Sequence, residues 1–260
     1  MGSMAMSNEA ERGMSYDRAF FSNISTGSRT SARKVLPVAM EVQRCRSIID
    51  VGCGTGAWLA AAAESGVADV IGVDGGYVNL DQLEIPRERF VAADLSTLTF
   101  AALRAAPAVG DRRFDMAMSL EVAEHLPEAA AAGFVALLTS LSDVVLFSAA
   151  IPFQGGTAHL NEQFPSWWAR HFASRGFMAL DIVRDRVWDD ASVEWWYRQN
   201  VMLFVASHHP AASLARPSVT LDRIHPVHYR RLVDWGLQGA ASSGRLWSNQ
   251  EQAMTATWPR

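Results

Sequence analysis

The chain has only two cysteines, no apolar run long enough to cross a bilayer and no excess of basic residues, and each shortage narrows what it can be. Cys45 and Cys53 lie near one expected strand, and Cys53 falls inside a glycine turn. A disulfide framework is therefore not expected, and a reducing cytoplasm fits. No stretch reaches the roughly 18 apolar residues that span a bilayer. The start lacks a basic segment followed by an apolar one, so neither membrane insertion nor export is expected. Met1-Gly-Ser-Met4 reads as a cloning remnant and is set aside. A formal net charge of -4 gives no footprint for a polyanion, which argues against a nucleic-acid partner. There is no internal repeat.

What is present is ample apolar material. At 260 residues, 49% hydrophobic and 19% charged, the chain can bury the core of one α/β domain with appendages. From Ser47 onward, β-branched runs alternate with alanine-rich helical ones, the order that builds a parallel sheet with helices on both faces. Strands are expected at 47–51, 69–74, 88–92, 113–119 and 143–150. Helices are expected at 56–65, 97–105 and 127–141, the last opened by Pro127, whose missing N–H is harmless in a first turn. Residues 177–184 and 200–206 are also strand-like, but the short 189–197 stretch between them cannot carry a parallel crossover. They are expected to form an antiparallel pair at the sheet edge. Residues 1–46 form an arm and a helix, Ser31 to Arg44, residues 47–206 the main domain, and residues 207–260 a helix from Pro226 to Trp235 with a polar tail.

Asp50-Val-Gly-Cys-Gly-Thr-Gly56 reads as a strand end, a tight turn and a helix start, where glycines permit positive φ and a close ligand approach. The turn alone also satisfies a dinucleotide spacing through Gly52, Gly54 and Ala57. Asp74 ends the second strand, where a carboxylate can accept both hydroxyls of a ribose. Asp94-Leu95 follows the third, where an adenine amino group could be met. Singly, each aspartate reads better as a solvated loop residue or helix cap; the ordered trio points to an adenosine ligand. A side chain on Gly54 is expected to clash within the turn.

Over about residues 30–206 the sequence resembles the class I S-adenosylmethionine-dependent methyltransferases, through Asp50 to Gly56, Gly72-Val-Asp74, Ala93-Asp94-Leu95, Phe114-Asp115, Glu121-Val-Ala-Glu-His125 and the terminal strand pair. The resemblance implies a doubly wound α/β fold whose mostly parallel seven-stranded sheet has an antiparallel last strand. It implies S-adenosylmethionine held by Asp50, Gly52, Gly54, Gly56, Asp74, Gly75, Asp94, Leu95 and Ser119. Gly75-Gly76 departs from the bulkier residue the family often carries there. Gly155 to Gln163, Trp195 to Asn200 and His225-Pro-Val-His-Tyr229 are similar in pattern to bacterial methyltransferases encoded beside glycan and natural-product pathways.

The acceptor side should lie at the carboxyl ends of strands four and five, where open α/β sheets bind ligands. On one helical turn, Glu121, Glu124 and His125 would share a face. With His159 they could hold a divalent metal, Mg²⁺ or Mn²⁺ among others, and the pattern resembles the metal motif of small-RNA 2′-O-methyltransferases and of ubiquinone-pathway O-methyltransferases. In the competing reading, Glu121 complements the turn's amino end and His125 packs or acts as a base. His159 is either a base or a loop-ordering partner, with Gly155-Gly156 allowing the loop to move. Catalytic candidates are thus His159, His125 and Glu121. Trp167, Trp168, Trp188, Trp195 and Trp196 read as core more than as stacking faces, and Arg170, Arg184, Arg186 or Arg198 could meet an acidic group. On the family resemblance, Tyr16, Phe20, Phe21 and Arg29 belong to a lid over the cofactor. The expected function is O-methylation of a small hydroxylated acceptor, a sugar or another metabolite; self-association stays open. N-methylation, a nicotinamide oxidoreductase and a catalytically silent cofactor-binding protein are the rivals.

Overall fold

Ser47-Ile-Ile-Asp-Val51 buries four of its five residues, as a strand covered on both faces must. A computed structural model of the chain describes residues 18–216 and 220–243. Met1 to Met4, Tyr16 and the tail beyond Ser243 lie outside the described residues, as do the side chains of Phe20 and Phe21. Two units are distinguished, one running to Arg223 and one from Ile224.

In the first unit the order is α1 (Arg18–Val42), β1 (Ser47–Val51), α2 (Ala57–Glu64), β2 (Asp69–Asp74), β3 (Phe90–Ala92), α3 (Phe100–Leu103), β4 (Met116–Leu120), α4 (Ala131–Leu141), β5 (Val144–Ser148), α5 (Pro165–Ser174), β6 (Phe177–Leu180), α6 (Val183–Val187), α7 (Trp195–Asn200) and β7 (Met202–Ala206). The seven strands are ordered β3-β2-β1-β4-β5-β7-β6. β1 pairs in parallel with β2 and β4, and β7 runs antiparallel to both β5 and β6. The expected doubly wound sheet with an antiparallel last strand is the observed one.

Each sheet face has its own core. On one, Val35 and Leu36 of α1, Trp58 and Leu59 of α2 and Val183 of α6 pack with Ile48, Met116, Met118 and Leu146. On the other, Phe134 and Leu138 of α4 and Trp168 and Phe172 of α5 pack with Ile49, Ile71, Phe147 and Phe204. The Phe172 and Phe204 rings stack at 3.8 Å, and Trp168 lies against Phe147, as a core tryptophan should.

Several boundaries differ from expectation: α1 runs from Arg18 to Val42 rather than from Ser31 to Arg44, and three others differ for local reasons. β6 stops at Leu180 rather than at residue 184, because Arg184 closes on Asp181 with two bonds of 2.6 and 2.5 Å, and that three-residue spacing needs a helical turn. Thr99 caps α3, its Oγ1 accepting from the Ala102 N–H, so that helix starts later than residue 97. Pro127 opens a 3₁₀ turn, Glu128–Ala130, that leads into α4. The connection before β7 holds the short helices α6 and α7 yet still returns antiparallel.

In the second unit, α8 (Pro226–Ser243) starts at Pro226 as expected and continues beyond Trp235. Nδ1 of His225 accepts from the Val227 N–H at its start. Among the described residues no helix is long and apolar enough to cross a membrane, and Cys45 and Cys53 are free and buried.

Candidate active site

The strand order reverses between β1 and β4, which opens a crevice at the carboxyl ends of these strands. The chain leaves β1 through Gly52, Gly54 and Gly56, with φ of 95°, 55° and 90°. These left-handed values suit glycine. The N–H groups of Gly52 and Cys53 donate to Val73 O at 2.7 and 3.2 Å, fixing the turn to β2. A Cβ on Gly54 would meet no protein atom within 4 Å. The expected clash inside the turn is thus corrected: the space beside Gly54 is open. Asp50 Oδ1 and Ser119 Oγ are buried without a hydrogen-bond partner at the same strand ends. An open cradle with orphaned polar atoms suits a polar ligand such as S-adenosylmethionine. Burial, and then the charge of Asp74, pushes the Asp50 carboxyl up to about 7.

Asp74 closes β2 and is buried, with Oδ2 accepting from the Gly54 N–H at 2.6 Å and Oδ1 from the Gly75 N–H at 2.6 Å. Its third donor is the Tyr77 hydroxyl, at 2.6 Å from Oδ1. Burial raises the Asp74 carboxyl, and these bonds oppose the rise. Asp94 is exposed, and its Oδ1 accepts from the Ser96 N–H and hydroxyl at 2.9 and 2.6 Å, while Leu95 is half-buried beside it.

On the other side of the crevice, Glu124, His125 and His159 bring one donor atom each to within 4.8 Å of one another. Both Glu124 carboxylate oxygens and His125 Nδ1 are buried without partners. Burial, followed by the charge of Glu121, drives the Glu124 carboxyl well above its usual range, and burial lowers His125 to about 4. His159 Nδ1 lies 2.8 Å from Glu162 Oε1. The imidazole also packs on Gly156, where a Cβ would fall 2.2 Å from Nε2.

Glu121 is not part of that trio. Its φ is 56°, and its carboxylate accepts from Gln154 Nε2 at 2.8 Å and Asn200 Nδ2 at 3.1 Å. The turn is 3₁₀, Ala123–His125, rather than a full α-turn, so Glu121 does not share the face of Glu124 and His125. Loss of solvent raises its carboxyl, opposed by those bonds. Gln154, Gln199 and Asn200 form an amide network that the sequence reading missed. The place of Gln199 and Asn200 just before the buried β7 was the available signal, because amides there must find buried partners.

Of the arginines considered for an acidic group, Arg184 is fully buried against Asp181 and is committed to the fold, while Arg186 makes an exposed pair with Glu41 at 3.1 Å. Arg29 reaches Glu64 and Glu84, and Glu84 Oε1 accepts from Thr55 Oγ1 of the glycine turn at 3.3 Å. α1 is also tied down through Tyr197, whose hydroxyl meets Ser28 Oγ at 3.1 Å and Trp58 Nε1 at 3.3 Å. Helix, turn and α7 thus share one polar seam.

A glycine turn at a topological switch point, with Asp74 closing the next strand, stands where doubly wound sheets bind nucleotide-type ligands. A sequence-family model described as a methyltransferase domain matches residues 17–200, and the chain belongs to that family as a class I S-adenosylmethionine-dependent methyltransferase. Over 86 residues it is 34% identical to the ubiquinone biosynthesis O-methyltransferase of Psychrobacter arcticus, a match that covers 33% of this chain and 33% of that protein. The chain therefore spans about a third of the length of that curated relative. Among solved structures, the plantazolicin methyltransferase BpumL in complex with SAH superposes with a TM-score of 0.51 at 13% identity, covering 76% of this chain and 90% of that one. A SAM-dependent methyltransferase from Archaeoglobus fulgidus gives a TM-score of 0.46 at 22% identity, over 58% of this chain and 69% of that one.

Proposed function

We propose that the protein O-methylates a small hydroxylated acceptor, a sugar or another metabolite, bound between the β4 and β5 ends. The observation that carries this reading is the convergence of Glu124, His125 and His159, with orphaned donor atoms on the first two. A hard carboxylate with two imidazoles suits Mn²⁺, Fe²⁺ or Zn²⁺, and Mg²⁺ less well. A divalent ion held there would supply Lewis acidity to an acceptor hydroxyl. When bound, S-adenosylmethionine supplies an electrophilic methyl on sulfonium sulfur. The chain's part is to align the two. Gly54 leaves room for the methionine portion, Asp74 holds the ribose, and Asp94 with Leu95 frames the adenine. Glu121, oriented by Asn200 and Gln154, borders the acceptor.

A metal-free version of the same reaction is favoured by one contact. With the Nδ1 proton directed at Glu162, 2.8 Å away, His159 is left with Nε2 as the base that takes the acceptor's proton. An acceptor oxygen deprotonated there would be the nucleophile for the methyl that bound S-adenosylmethionine would supply.

Titration of the protein with Mn²⁺ separates the two versions. One ion should bind and be lost in Glu124→Gln, His125→Ala and His159→Ala, while Glu121→Gln retains it. Absence of Mn²⁺ binding, with transfer of a labelled methyl to a panel of catechols and sugars intact in chelator, would leave the histidine base. Transfer to amines alone would overturn the O-methylation reading.

A further inference from the structure

We propose that Tyr77 gates the cofactor site, its hydroxyl holding Asp74 in the free protein and leaving when the ribose of the adenosyl ligand arrives. The inference rests on the reading that Asp74 holds that ribose. An ionised carboxylate offers about four lone-pair positions. Three are accounted for, by the Gly54 N–H, the Gly75 N–H and the Tyr77 hydroxyl. A ribose diol brings two hydroxyls to what remains, so one existing donor must go. The two backbone donors are built into the turn and the end of β2. Tyr77 is the side chain among the three, and 63% of its surface already meets solvent.

The local sequence is fitted to this arrangement. A Cβ on Gly75 would fall 2.1 Å from Cε1 of Tyr77, so the ring lies on Asp74 only because residue 75 has no side chain. Gly76 has no atom within 4 Å of its Cβ position, and two successive glycines give the segment the backbone freedom to swing. The glycine pair that departs from the family's bulkier residue is thereby explained as the seat of a hydroxyl that closes the ribose carboxylate. The gate acts on entry, so its mark is on the association rate.

The test uses S-adenosylhomocysteine as the probe, with stopped-flow tryptophan fluorescence for rates and calorimetry for affinity. Tyr77→Phe keeps the ring but loses the competing bond, and association should quicken by about three- to tenfold, the scale of one partly exposed bond to a charged group, with dissociation little changed. Gly75→Ala, which evicts the ring, should quicken association equally, and Gly75→Ala with Tyr77→Phe should gain nothing further. An unchanged or slower association in Tyr77→Phe, while Asp74→Asn loses binding, overturns the gate and leaves the ribose reading intact. If Asp74→Asn binds like the parent protein, the ribose reading fails and the gate falls with it.

Discussion

Gly52 and Val122 meet so closely across the mouth of the sheet that a Cβ on the glycine would sit 2.3 Å from Cγ2 of the valine. The neighbouring Gly54 has the same left-handed habit but faces open space. One glycine serves the fold; the other, on the proposed reading, leaves room for the ligand.

Gly52→Ala should therefore destabilise the protein by about 2–5 kcal/mol, through left-handed strain together with overpacking. Val122→Ala in the same chain should recover part of that loss. Gly54→Ala should lose only the strain, about 1–2 kcal/mol, yet bind S-adenosylhomocysteine far more weakly. Denaturant unfolding beside calorimetry separates the two. Equal stability losses at both positions would contradict the assignment.

Asp50 makes the ligand-free protein sensitive to pH. Its folded pKa of about 7 lies above the ordinary 3.8, so the stability it contributes is complete below about pH 3.8 and is lost as the pH rises through 7. The difference is on the order of 4 kcal/mol. Asp50→Asn should remove this dependence and raise stability at pH 8 but not at pH 4. Unfolding curves measured across that window, parent against variant, are the check. A cationic ligand placed beside Asp50 should also release a proton on binding near pH 6, visible as a buffer-dependent binding enthalpy.

The Asp181 and Arg184 pair should be asymmetric to mutation. Asp181→Ala strands a fully buried guanidinium and should cost about 3–5 kcal/mol. Arg184→Met should cost less, because it removes the buried charge and Asp181 keeps Arg223 at 3.2 Å. Midpoints in urea that reverse this order would refute the account.

Tyr197→Phe should loosen the seam between α1, α2 and α7. It removes the bonds to Ser28 and Trp58 and should lower stability by about 1–2 kcal/mol. Amide exchange should quicken near Ser28 and Trp58 and stay unchanged in β5.

The sheet was legible because its strands carry their burial in their composition. Ile48, Ile49, Val70, Ile71 and Val73 are β-branched and enclosed, and the β1 and β2 bounds agree residue for residue. The end of β6 was not legible, since Ile182 and Val183 extend its apolar run and only the Asp181 contact to Arg184 turns the chain. The glycine turn and Asp74 could be placed because backbone geometry dictates residue type there. The setting of Glu121 could not, because it depends on Gln154 and Asn200, 33 and 79 positions away. Tyr77 went unread for a similar reason: a tyrosine after two glycines looks like an ordinary loop residue until its hydroxyl is found on Asp74.

The reversal of strand order between β1 and β4 splits the chain's labour along its length. Everything the proposed methyl-donor pocket takes from β1, β2 and β3 lies before residue 96, and the acceptor-side groups Glu121, Glu124, His125, His159 and Asn200 all follow the link from Gly110 to Arg113. A hybrid joined at that link should carry over a new acceptor preference and keep its donor, provided the incoming half retains the serine at Ser119, which the donor side borrows from β4. The surface to preserve in such a splice is the β1 to β4 pairing, Ile48 with Met116 through Asp50 with Met118.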